Sequence, residues 1–205
     1  LISKKILFKS NNVSESGVHF GCRLAILNDE IFMSIGDRGN RYEAQDVNSH
    51  AGSVIRVNKY DGSTREQKAY NSWPAEVYTK GHRNPQGMAI NSKTNEIWVN
   101  EHGPKGGDEM NLIQPSLNYG WPAITYGIDY SGAVISPFTE KDGMQQPLLH
   151  WTPSIAPSDM IFYEGNKYPE LNNSFLVTAL VSKDVKKVLS SNPSFALLRS
   201  EERFS

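Results

Sequence analysis

The chain is poor in several things at once, and each shortage excludes something. It holds a single cysteine, Cys22, in 205 residues, so an internal disulfide is impossible and either redox compartment fits. It has no excess of one charge: 21% of residues are charged and the formal net charge is -1. That leaves no electrostatic footprint for nucleic acid or an anionic membrane. No apolar run approaches the roughly 20 residues that a membrane-spanning helix needs. No stretch shows convincing helical periodicity. The chain starts at Leu1 with no basic n-region and no apolar h-region, so no targeting signal is visible. What it does have is glycine (16), proline (11) and aromatics (10%), the composition of a turn-rich β protein with one sizeable core or two small ones.

The strand signals repeat. Residues 23–28 (RLAILN) and 31–36 (IFMSIG) flank an Asp-Glu turn and read as a hairpin. Residues 88–91 and 96–100 read the same way, as do 160–163 and 174–180. Each pair is followed by a further strand candidate, at 53–58, 109–113 and 184–189. The unit is therefore strand, turn, strand, polar loop, strand. Its spacing is 65 residues from Arg23 to Met88 and 72 from Met88 to Met160. Small antiparallel sheets repeating with long loops indicate an all-β fold, a β-propeller of four-stranded antiparallel blades, with an irregular β-sandwich as the alternative. Residues 40–50 are polar and read as loop. Three units cannot close a ring, so residues 1–205 are expected to be a single partial propeller domain of about three to four blades. Exposed strand edges at both ends of such an open fragment would invite association into a homo-oligomer.

Chemically expensive residues crowd into 81–132. His19 stands at the entrance of the first strand and Asp37 just past the end of its antiparallel partner, which places them near each other. A carboxylate so placed fixes the tautomer of a basic imidazole, although a lone turn histidine is also often just solvated. Arg83 and Asn84, on an Arg-Asn-Pro turn, offer forked and amide donors to a carboxylate-bearing planar ligand; a tether between blades is the competing reading. The run from Glu101 to Glu109 (EHGPKGGDE) is not a P-loop, since the spacing fails and no helix follows. It lacks zinc-ligand spacing. Its carboxylates and exposed carbonyls, with Asp129, suit calcium better. The aromatics of Asn118–Pro122 (NYGWP) and Trp151 either line a sugar or quinone pocket or plug a blade interface.

Taken together, HFGCRLAI (19–26), IGDRG (35–39), AQDVNSHAGSVIRV (44–57), GHRNPQGMAIN (81–91), NEHGPKGGDEMNLI (100–113), NYGWP (118–122) and WTPSIAPSDMIFY (151–163) resemble the soluble, pyrroloquinoline quinone (PQQ)-dependent aldose (glucose/sorbosone) dehydrogenases. The resemblance runs in order over roughly residues 15 to 180. It implies a six-bladed propeller that oxidises aldose sugars to lactones, hydride passing from the sugar C1 to the quinone. It further implies a periplasmic or secreted location and an external electron acceptor. His19 matches the family's general base and Asp37 the acid that orients it. Arg83 and Asn84 match residues that hold PQQ, with His102, Trp151 and Ser154 around the cofactor. Gly103 and Pro104 match the carbonyls on the Ca2+ that clamps it. Glu109, Tyr119, Thr125 and Asp129 fall where a second, structural calcium binds.

The chain also departs from the pattern. Val181 occupies the place of a family lysine that reaches a PQQ carboxylate, with Lys183 two residues on as a substitute. Arg203 matches the first of two later arginines, and Ser205 stands at the second. Cys22 sits where a small glycine is common. These departures set up the other reading, a propeller remnant that binds calcium, a glycan or a protein partner without turnover.

Overall fold

A computed structural model of the protein describes residues 4–65, 73–190 and 200–204. It consists of three four-stranded antiparallel sheets. The first contains β1 (Gly21–Leu27), β2 (Glu30–Ile35), β3 (Ser53–Asn58) and β4 (Val77–Lys80). The second contains β5 (Pro85–Asn91), β6 (Glu96–Glu101), β7 (Asp108–Ile113) and β8 (Leu149–Trp151). The third contains β9 (Pro157–Tyr163), β10 (Ser174–Ala179), β11 (Asp184–Leu189) and β12 (Ser200–Phe204). Within each sheet the strands follow chain order, and the first strands of the three sheets, β1, β5 and β9, lie side by side. These are three successive propeller blades, as the repeat predicts. The hairpins close on residues in the left-handed region, Asn28 (φ 56°), Asn95 (φ 59°) and Lys183 (φ 54°); asparagine tolerates that region better than most residues. Residues 40–50, expected to be plain loop, contain a short 3-10 turn at Arg41–Gln45.

Period-two alternation lets one strand feed two blade interfaces. On β5, Met88 joins Phe32, Val54, Ile97, Val99 and Ile113 between the first and second blades. Its neighbour Ala89 faces the other way, joining Trp98, Met110, Met160, Phe175 and Val177 between the second and third. Ile97 and Trp98 on β6 divide in the same manner. The remaining face of the first blade, with Ile35, Ile55, Val57 and Val77, is covered by Phe8. Burying each such side chain contributes about 1.5–3 kcal/mol, so the interfaces hold the blades as one rigid support.

Antiparallel pairing fixes which rim each loop occupies. β1, β5 and β9 all start at one rim, and β2, β4, β6, β8 and β10 all end there. Residues 18–20, 36–52, 81–84, 102–107, 152–156 and 180–183 therefore share that rim. One further segment reaches it. The long connection from β7 to β8 climbs beside the end of β4: Tyr119 N donates to Lys80 O (2.8 Å), Trp121 N to Gly81 O (2.9 Å), and Ile128 pairs with Lys105.

Candidate active site

His19 enters the rim with a left-handed backbone (φ 51°), seated against Gly36. A Cβ on Gly36 would lie 2.1 Å from His19 O, so only glycine allows the approach. Next to it Cys22 is itself left-handed (φ 72°), the conformational reason glycine suits that position. Arg38 pins the segment by donating to Val18 O (2.7 Å) and Ser16 O (2.6 Å). His19 Nδ1 lies 2.6 Å from Asp37 Oδ1, with the histidine side chain 20% exposed and the aspartate 1%. The carboxylate is held from every side: Gly39 N–H donates to Oδ1 (2.8 Å) and Trp121 Nε1–H to Oδ2 (2.8 Å). Burial pushes the Asp37 pKa up, but its bonds to His19, Gly39 and Trp121 outweigh this, and it lies below the usual carboxylate range. Asp37 is thus an anion that orients the His19 ring through Nδ1.

Across the rim, Arg83 lies over the Trp121 ring (5.4 Å) and donates through Nη1 to His102 O (3.1 Å) and Gly103 O (2.7 Å). Its own N–H donates to Glu101 Oε2 (2.6 Å), while Glu101 Oε1 meets His82 Nδ1 (2.8 Å). His82 is fully buried, stacked on Tyr119 (4.8 Å) and bonded to Thr79. Asn84 O accepts from His102 N (3.1 Å), and its side chain accepts from Gln86. Burial holds the His102 pKa below that of a free imidazole.

The Gly-Pro loop is shaped by a residue whose role the sequence does not reveal. Asp108, 1% exposed, accepts from Gly103 N (2.9 Å), Ser154 Oγ (3.1 Å), Ile155 N (2.7 Å) and Ala156 N (2.8 Å). It fastens residues 102–107 to the turn before β9. Ser154 Oγ also accepts from Gly106 N (3.0 Å). Gly103 must be glycine, since a Cβ there would meet Gly107 O at 2.2 Å.

A cavity opens between these parts, lined by Arg83, His102, Gly103, Pro104, Glu109 and Thr125, with Trp121 at its wall. Glu109 keeps part of its surface open while its carboxyl is enclosed, and its pKa is pushed up to about 8, by burial first and then by the neighbouring Glu101. Asn111 Nδ2 donates to Glu109 (3.2 Å) and Glu101 (3.3 Å), but its buried Oδ1 has no partner. Arg83 Nε and His102 Nε2 are likewise buried without partners.

Tyr119, Asp129, Trp151 and Lys183 do not line this cavity. Tyr119 is buried, its hydroxyl donating to Leu112 O (2.5 Å). Asp129 is engaged by Ser131 and Arg41 (2.9 Å), which hold its pKa down at about 2. Trp151 packs into the core between the second and third blades, its Nε1 without a partner. Lys183 is exposed on the turn 180–183, which is tied to the rim by Val181 N donating to Ile155 O (3.1 Å). Arg203 lies on β12 with its backbone opposite Lys186, and Ser205 lies outside the described residues. Among the described residues no three His, Cys, Asp or Glu side chains converge as a metal cluster.

Over residues 1–203 the chain matches the family model for Glucose / Sorbosone dehydrogenase. It is 37% identical over 188 residues to aldose sugar dehydrogenase YliI of Escherichia coli (strain K12), covering 88% of this chain and 50% of that protein. The solved apo-form structure of the soluble E. coli aldose sugar dehydrogenase superposes with a TM-score of 0.87 at 34% identity, covering 97% of this chain and 58% of the other. The PQQ-bound aldose sugar dehydrogenase of Streptomyces coelicolor gives a TM-score of 0.71 at 25% identity, covering 94% and 51%. The chain spans about half the length of the curated relatives it matches. These blades, and the rim they carry, are those of a member of the glucose/sorbosone dehydrogenase family.

Proposed function

We propose that this rim is the active site of a quinoprotein that oxidises an aldose sugar to its lactone. The observation that carries the reading is the His19–Asp37 pair at 2.6 Å, on the same rim as a buried guanidinium and two unpartnered donor-capable nitrogens. Anionic Asp37 holds the proton on His19 Nδ1, so Nε2 is the lone-pair nitrogen that accepts the proton of the sugar's anomeric hydroxyl. That leaves the C1 hydride as the group to be removed.

PQQ, when bound, supplies the two-electron oxidant that takes this hydride, and an external acceptor later removes the electrons. The residues fit such a group. Arg83 Nε and His102 Nε2 are buried without partners in one cavity, and a planar acid with several carboxylates satisfies them. Asn84, Trp151, Ser154, Lys183 and Arg203 complete the binding set in this reading. The similarity to the PQQ-bound S. coelicolor protein supports it.

Calcium fits as well. Residues with hard oxygen donors line the cavity: Gly103 and Pro104, with Glu109 and Thr125. Gly103 and Pro104 would hold a Ca2+ against the cofactor through their carbonyls. Glu109 and Asp129 would hold a second ion, with Tyr119 and Thr125 through their carbonyls. A periplasmic or secreted setting belongs to the same reading.

The test is dye-linked glucose oxidation by the purified chain with PQQ and calcium, with and without chelator. Turnover that needs PQQ and calcium, and disappears in His19→Ala, is the expected result. Absence of PQQ binding under these conditions would contradict it and favour a non-catalytic remnant, the reading that exposed Val181, in place of a lysine, supports.

A further inference from the structure

Trp121 sits where the two halves of the rim meet, and it belongs to neither a blade core nor the surface. It is 7% exposed, and its backbone is fixed at both ends: its N–H donates to Gly81 O (2.9 Å), and its carbonyl accepts from Gln45 Nε2 (2.6 Å). Two guanidinium groups lie near its ring, Arg83 at 5.4 Å and Arg41 at 5.9 Å from the centroid. Both are within the range of cation–π attraction. One polar atom remains, the indole Nε1–H, and it donates to Asp37 Oδ2 at 2.8 Å. A side chain held this firmly can only aim its donor one way.

We propose that Trp121 is a positioning residue for the sugar oxidation: its indole N–H fixes the Asp37 carboxylate so that Oδ1 faces His19 Nδ1. The carboxylate has two oxygens and two tasks. Oδ1 serves His19 and Gly39 N, and Oδ2 has Trp121. Without the indole donor, Oδ2 is a buried charged acceptor with no partner, which is costly. The carboxylate then rotates to share its remaining donors, or takes up a proton. Either outcome releases the constraint on the imidazole. Because Trp121 also walls the cavity in which Arg83 and His102 stand, it joins the ligand side of the rim to the proton-accepting side. The charged and titratable groups around this pair are His19 and Arg83 beside Asp37, Arg83 and Arg41 beside the Trp121 ring, and Tyr130, which bonds Arg83.

The proposal rests on the sugar-oxidising reading for its purpose but not for its test. Trp121→Phe keeps an aromatic ring near the guanidiniums and deletes the donor. In the metal- and cofactor-free protein, carbon-13 titration of Asp37 is expected to move to higher pH in the variant. Nitrogen-15 spectra of His19 are expected to change from one tautomer to a mixture. Because neither reading requires PQQ or sugar, failure of the enzymatic reading would leave both readouts intact. An unmoved Asp37 titration with an unchanged His19 tautomer, in a folded variant, overturns the proposal. Should the variant not fold, the unmutated chain decides. One of the four indole N–H signals must move in step with the Asp37 titration, and if none does, Trp121 does not serve Asp37.

Discussion

The two halves of the rim differ in one respect. On the His19 side the buried carboxylate is satisfied by the protein: Asp37 alone accepts from three donors. On the Arg83 side, Arg83 Nε, His102 Nε2 and Asn111 Oδ1 are buried with no partner, and an enclosed Glu109 carboxyl is crowded by Glu101. Buried polar groups are normally paired, so on the proposed reading the second half is the one that a bound group completes. On that reading catalytic geometry is preformed and ligand geometry waits for ligand. Such division of labour is economical, because a proton acceptor needs fixed orientation before substrate arrives, whereas a cofactor's own atoms can complete its cradle.

Breaking the finished half should have the largest effect. His19→Ala is expected to lower turnover by about 10²–10⁴-fold while leaving PQQ affinity within a factor of a few, read by steady-state rates beside absorbance titration. Breaking the open half should do the reverse. Arg83→Ala removes a charge-assisted bond worth about 1.5–3 kcal/mol, so PQQ affinity should fall about 10- to 100-fold, measured by the same titration.

Smaller effects sharpen the contrast. Gly36→Ala drives a methyl into His19 O and should cost about 1–3 kcal/mol of stability, seen by urea unfolding, with turnover reduced because the His19 loop must move. A pH-dependent effect concerns Glu109. Its folded pKa is about 8 against an ordinary 4.5, so the folded chain holds a proton that the unfolded chain releases. Stability from this group is full below about 4.5 and is lost as pH rises toward 8. Calcium-free protein should therefore weaken over that window, Glu109→Gln should flatten the slope, and added calcium should reverse it.

Much of the fold is legible in the sequence, and the illegible parts share a cause. β3 and β11 have the predicted bounds, residues 53–58 and 184–189, because alternating apolar residues and flanking turn residues agree there. β8 is three residues long, too short for any period to show. β12 (SEERF) carries no alternation either. The site divides similarly. His19 and Asp37 are 18 residues apart across one hairpin, so pairing rules bring them together. Trp121 stands 84 residues from Asp37 on an irregular connection that no periodicity describes. NYGWP flags that stretch as unusual, but the partner of its indole emerges only from the way residues 114–148 climb past β4. Asp108 is hidden for the same reason: its carboxylate serves a turn 46 to 48 residues away.

The central claim is that proton acceptance is built into the blades while the oxidant's place is left open. It is tested most directly by titrating PQQ, with calcium present, into the wild-type chain and into His19→Ala, and then adding glucose and dye to both. The account predicts matching binding curves and turnover only in the wild type. Loss of binding in the variant would contradict it, showing that His19 belongs to the cofactor's cradle; so would turnover in the variant, which would place the proton acceptor elsewhere.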